Sequence, residues 1–182
     1  MQWKSMYGGV ALVVLCAAGT ASAETPSKKT AVERGEYLSK IGGCNDCHTP
    51  WIMENEKPKP DMSRMLSGHP ADMELPSPPE PKGPWVWMGA ATNTAFAGPW
   101  GISYATNLTP HATGMKEWTE AEFIGAMRTG KHRGKGRPIL PPMPWFAIAE
   151  ATDEDLKAIW AYLKSIPAMD NAVPAPQPPG SE

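Results

Sequence analysis

Hydrophobic positions recur with helical spacing in three separated stretches of the chain. Leu156, Ile159, Trp160 and Leu163 fall at i, i+3, i+4 and i+7; Thr152 with Asp155 resembles a capping box at the start of that helix, and Pro167 closes it. A second helix is expected from Thr119, whose hydroxyl can accept from the backbone three residues on while Glu122 reaches back. Phe123, Ile124 and Met127 form its apolar side and Gly130 its C-cap. The first helix covers about Ala31 to Ile41, with Tyr37, Leu38 and Ile41 on one side and Gly42-Gly43 ending it. No run of alternating strand residues stands out, so the pattern predicts an all-α fold of three or more helices.

The span from Thr49 to Trp118 is far longer than the usual connection of about four to six residues, and something other than a protein core must organise it. A bulky buried cofactor would serve. The chain has 21 prolines, gathered between Pro58 and Pro84 and again from Pro167 to Pro179. Lacking an N–H and fixed in φ, such residues are expected in loop and tail. The domain plan is therefore one domain over 24–167, with a proline-rich insertion at about 54–100 and a proline-rich flexible tail at 168–182.

Residues 1–23 read as a secretory signal peptide: Lys4 supplies the positive n-region, Val10 to Ala18 is apolar, and Ala21-Ser22-Ala23 is a cleavage site. The mature chain would start at Glu24, in the periplasm. The apolar run is about half the roughly 20 residues needed to cross a bilayer, so no membrane span is expected after processing. Leu15 stands before Cys16 where a lipoprotein signal wants a small residue, and Cys16 would leave with the signal. The formal charge of -2 in 182 residues gives no reason to expect nucleic acid, which needs a clustered cationic surface.

Two cysteines then remain, in Cys44-Asn45-Asp46-Cys47-His48. In this C-x-x-C-H spacing two thiols can form thioethers to haem vinyl groups while the adjacent imidazole binds iron. A redox C-x-x-C, a zinc site and a structural disulfide are competing readings. Zinc normally takes four ligands, and no second cysteine pair follows; a thioredoxin-like motif belongs in a βαβ setting. One covalent haem c is the expected cofactor, with His48 as a metal ligand. Its second axial ligand is expected to be a thioether, and Met143 stands apart from the other methionines in Pro141-Pro142-Met143-Pro144-Trp145, a stiff loop before the last helix. The competing reading makes Met143 a packing residue. It leaves His69, His111 or His132 as sixth ligand, or the position open, although each of these histidines is expected at the solvated surface.

With these residues in place, Glu33 to Pro167 resembles the class I cytochrome c family, a small helical fold that wraps one haem between its first and last helices. The resemblance implies a close crossing of Gly35 against Trp160 or Tyr162. More narrowly, Tyr104-Ala105-Thr106-Asn107-Leu108-Thr109-Pro110, Trp118-Thr119-Glu120 and Pro142-Met143-Pro144 are similar to the cytochrome modules of periplasmic alcohol, aldehyde and sugar-acid dehydrogenases. The similarity implies that Asn107 and Thr109 lie by the haem as donors to a propionate, with the capping of a turn as the competing reading of either residue. Those modules usually come with three C-x-x-C-H motifs where this chain has one, and with an acid after the proline where it has His111.

The function implied is non-enzymatic electron transfer, from a dehydrogenase toward the respiratory chain through redox partner proteins. The alternative is a haem enzyme or sensor with an open sixth position. Arg128, Lys131, Arg133, Lys135 and Arg137 form a basic stretch without acids leading into the Met143 loop, suited to an acidic partner, to the propionates, or simply to water.

Overall fold

The computed structural model describes residues 30–80 and 82–180, so the expected signal peptide lies outside the described residues. Helix α1 (Ala31–Ile41) begins at a complete capping box between Thr30 and Glu33, and α3 (Glu120–Thr129) at another between Thr119 and Glu122. Gly130 ends α3 with φ of 65°, a left-handed turn that glycine adopts without steric cost. Helix α5 (Asp153–Ser165) starts at Thr152, whose hydroxyl accepts from the Asp155 N–H; the Asp155 carboxylate turns instead to Arg34 on α1, 2.9 Å away. Two short helices, α2 (Cys44–His48) and α4 (Trp145–Ile148), complete the α-helices among the described residues, beside two single 3-10 turns at Met62–Arg64 and His132–Gly134.

The first and last long helices cross at the expected glycine. A Cβ on Gly35 would lie 1.9 Å from the Ala158 carbonyl oxygen and 2.8 Å from the Tyr162 Cβ, so only glycine permits this approach. Tyr162 is the aromatic at the crossing, whereas Trp160 stacks on Phe123 of α3 at 5.7 Å between ring centroids. The face of α1 that packs is not the one its large residues suggest. Gly35 and Ser39 are buried, while Tyr37 and Ile41 are exposed. Close packing here selects small side chains. Leu66, Phe123, Met127, Leu156 and Leu163 belong to the apolar core beneath this crossing.

The all-α expectation is incorrect. Among the described residues five strands form two antiparallel sheets, so the fold is mixed. Strands β1 (Trp51–Glu54) and β2 (Lys57–Pro60) make a hairpin across Asn55 and Glu56, both at positive φ. Strands β3 (Met88–Gly89), β4 (Ala95–Gly98) and β5 (Gly101–Tyr104) make the second sheet, with Phe96 opposite Ser103. None exceeds four residues, too short to display a period of two. Pro58 and Pro60 sit inside β2, opposite Met53 and Trp51. Two residues apart on an edge strand, both prolines can turn their nitrogens away from the ladder, so they do not prevent pairing.

Residues 168–180 lie along the body of the protein. Asn171 is buried: its amide donates to the carbonyls of Ser67 (2.7 Å) and His69 (2.8 Å), and its oxygen accepts from the Ala71 N–H. Further on, Gln177 and Ile102 exchange two backbone hydrogen bonds that cover the free edge of β5. No described helix is long and apolar enough to cross a membrane.

Candidate functional site

Gly43, at φ 68°, turns the chain directly from α1 into α2, which carries the whole Cys44–His48 motif. The turn is pinned from outside by the Asp46 carbonyl, which accepts from the Trp51 indole at 2.9 Å and from the Asn93 amide at 2.7 Å. Cys44 and Cys47 carry free thiols, partly buried, and burial raises the pKa of both. The motif thus follows a helix rather than the strand that precedes a thioredoxin-type site. Among the described residues, no three His, Cys, Asp or Glu side chains converge as a metal cluster of the kind zinc uses.

His48 is buried, and its Nδ1 lies 2.8 Å from the carbonyl oxygen of Thr106. A carbonyl can only accept, so Nδ1 carries the proton and Nε2 keeps its lone pair. Burial lowers the His48 pKa, partly offset by this bond, which favours the neutral ring a metal requires. The Thr106 carbonyl is itself held. The Gly68 N–H donates to the His48 carbonyl, His69 N–H to Ala105, and Leu108 N–H to Leu66, so segment 66–69 is laced between the two.

Asn107 and Thr109 are buried beside this carbonyl. The Asn107 oxygen accepts from the Thr109 N–H (2.9 Å) and hydroxyl (2.7 Å), and its amide donates to the Met169 carbonyl (2.8 Å). The Thr109 hydroxyl also accepts from the Met169 N–H. Their polar atoms are engaged with the chain, which fixes the loop that presents Thr106.

Met143 is partly buried and packs, as Cys44 does, against the same apolar core. The loop bearing it is anchored at the Pro141 carbonyl, which accepts from the Ser103 hydroxyl at 2.6 Å. Sequence reasoning missed Ser103, Gly68 and Asn171; small or amide residues outside the motifs carry no chemical signal. It also misplaced His69. That residue is fully buried, its Nδ1 2.9 Å from the Thr94 hydroxyl and its ring against Tyr104, because the insertion folds over it. His132 packs edge-on against Trp118, and His111 bonds Thr113.

The basic stretch is partly neutralised. Arg128 pairs with Asp153 and reaches the Ala149 carbonyl; Arg133 pairs with Glu122 and lies over the Trp118 ring. Lys131, Lys135 and Arg137 are exposed.

A helix-borne C-x-x-C-H whose histidine bonds a backbone carbonyl, following a first helix that crosses the last at a glycine, has the features that the resemblance to c-type cytochromes implies. No family model matches the chain. Its curated relatives bear the resemblance out. It is 31% identical over 88% of its length to an alcohol dehydrogenase (quinone) cytochrome c subunit of Gluconacetobacter polyoxogenes, covering 26% of that protein. It is 29% identical over 84% to the gluconate 2-dehydrogenase cytochrome c subunit of Pantoea cypripedii, covering 27% of it. A diheme cytochrome c-type protein of Cereibacter sphaeroides is 27% identical over 92% of the chain and is itself covered to 43%. The chain thus spans about a quarter of the length of the dehydrogenase subunits it matches.

Proposed function

We propose that the chain is an exported, periplasmic electron carrier with one haem c, bound by thioethers at Cys44 and Cys47 and ligated by His48 and Met143. It would take electrons from a dehydrogenase and pass them toward the respiratory chain. The observation that carries this reading is the bond from His48 Nδ1 to the Thr106 carbonyl, which leaves the Nε2 lone pair free to bind a metal. The residues fit the group: two unbridged cysteines on one helical turn, a neutral histidine beside them, and a methionine on the same apolar core. When bound, haem c supplies a one-electron ferric/ferrous couple. The protein's part is to fix the histidine, exclude water and offer a neutral sulfur that favours the ferrous state. Asn107 and Thr109 act at the proximal loop by holding it in place.

The test is optical. Wild-type ferric protein should show a methionine-sulfur charge-transfer band, and its ferrous form should resist carbon monoxide. In Met143→Ala the band should vanish and carbon monoxide should bind readily, while Met127→Leu, altered in the core, should behave as wild type. A band that survives Met143→Ala assigns the sixth position to another methionine; a wild type that never shows it makes a histidine or an open site the better reading, and ready carbon monoxide binding by that wild type would favour a haem enzyme or sensor.

A further inference from the structure

The loop around Met143 has an anchoring problem. In Pro141-Pro142-Met143-Pro144 three of four residues lack a backbone N–H, so the loop can be tied down by its backbone mainly through carbonyl oxygens. The Pro144 carbonyl is taken by the start of α4, where it accepts from the Ala147 N–H at 3.0 Å. The Pro141 carbonyl, two residues before Met143, is taken by Ser103 at 2.6 Å. Ser103 is buried on β5, and its hydroxyl accepts from the Trp100 indole N–H at 3.2 Å, which leaves the hydroxyl proton for Pro141. The Phe96 carbonyl, 3.4 Å away, is a much longer alternative acceptor.

Strand β5 is held on both sides. Phe96 of β4 pairs opposite Ser103, and Gln177 pairs with Ile102 on the other edge. Three residues beyond Ser103, Thr106 accepts from His48. One short run, 103–106, therefore touches both the helix that carries His48 and the loop that carries Met143, and the sheet that holds it is built largely from the proline-rich insertion.

We propose that Ser103 is a positioning residue for Met143, and that the insertion's β-sheet serves as a brace that holds the Met143 loop in register with the helix that carries His48. This rests on Met143 being the sixth ligand. Removing the hydroxyl frees the Pro141 end of the loop and lets the sulfur leave the iron more often, without altering iron, haem or sulfur.

The experiment compares wild type, Ser103→Ala, Ser103→Thr, Trp100→Phe and Met143→Ala holoproteins, reading the ferric sulfur band, the rate of ferrous carbon monoxide binding and stability to denaturant. Losing one hydrogen bond of ordinary net strength should make carbon monoxide bind about five-fold faster in Ser103→Ala. Trp100→Phe should move the rate in the same direction by less, and Ser103→Thr should restore it. A wild-type rate in Ser103→Ala, with the band abolished in Met143→Ala, overturns the brace while leaving the ligand assignment intact. An increase in Ser103→Ala that tracks only a general loss of stability and is not rescued by threonine also overturns it. A band retained in Met143→Ala removes the ligand assignment and the brace together.

Discussion

The Nδ1 of His48 donates to the Thr106 carbonyl across 58 residues of sequence, at 2.8 Å. The carbonyl belongs to the backbone, so no substitution of Thr106 removes it. What fixes its place is the segment packed behind it. Gly68 lies at φ 81°, and a Cβ there would fall 2.5 Å from the Ala105 oxygen and 2.6 Å from the Thr106 carbonyl carbon.

Gly68→Ala should therefore displace the acceptor of His48. The left-handed backbone alone costs an alanine about 1–2 kcal/mol, and the contact adds to it. Denaturant unfolding should show at least that loss. Holoprotein that still forms should have a shifted reduction potential, because the histidine's hydrogen bond tunes its donor strength.

Gly35→Ala tests the helix crossing. With the Ala158 carbonyl 1.9 Å from the new Cβ, α1 and α5 must separate. We expect a loss of about 2 kcal/mol or more, since the clash is with backbone that cannot rotate aside. Circular dichroism melts of the holoprotein would measure it.

How much of this was readable from the chain follows from chemical distinctiveness and period. Two of the three long helices announce themselves through the Thr119 and Thr152 caps and apolar spacing, whereas α1 packs through Gly35 and Ser39, which leave no apolar signal. The cysteines and His48 carry a distinctive spacing. The sheets do not, because Lys57-Pro58-Lys59-Pro60 resembles no strand and β3 has two residues. His69 was expected at the surface because burial of one imidazole depends on Thr94 and Tyr104, distant in sequence. Ser103 and Asn171 act through backbone carbonyls, whose positions no sequence pattern records.

His69 makes the stability of the protein depend on pH. Burial lowers its pKa below the ordinary value, an effect that the Met73 carbonyl opposes and Arg64 reinforces. The unfolded chain then binds more protons than the folded one below the unfolded value of about 6.5. Stability from the neutral buried ring is present above that pH and declines as pH falls toward the folded pKa. Urea titrations from pH 7 to pH 5 should show that decline in wild type and a shallower one in His69→Asn, which carries no titrating ring.

Reversal of Lys131 and Lys135 to Glu should slow reduction by a native donor at low salt. Arg128 and Arg133 are already paired with Asp153 and Glu122, so the exposed Lys131, Lys135 and Arg137 carry the available charge of this stretch, and the two lysines most of it. Screening over a Debye length of about 8 Å should erase most of the difference at physiological ionic strength. Stopped-flow rates that match wild type at every salt concentration would assign the stretch to solvation.

The account stands on a covalent haem at one site. An intact mass spectrum of protein purified from its native host should show the polypeptide from Glu24 plus the mass of one haem, retained through acid-acetone extraction. It should be absent from a Cys44→Ser, Cys47→Ser double variant. A bare polypeptide mass, or haem that acid acetone removes, would contradict it.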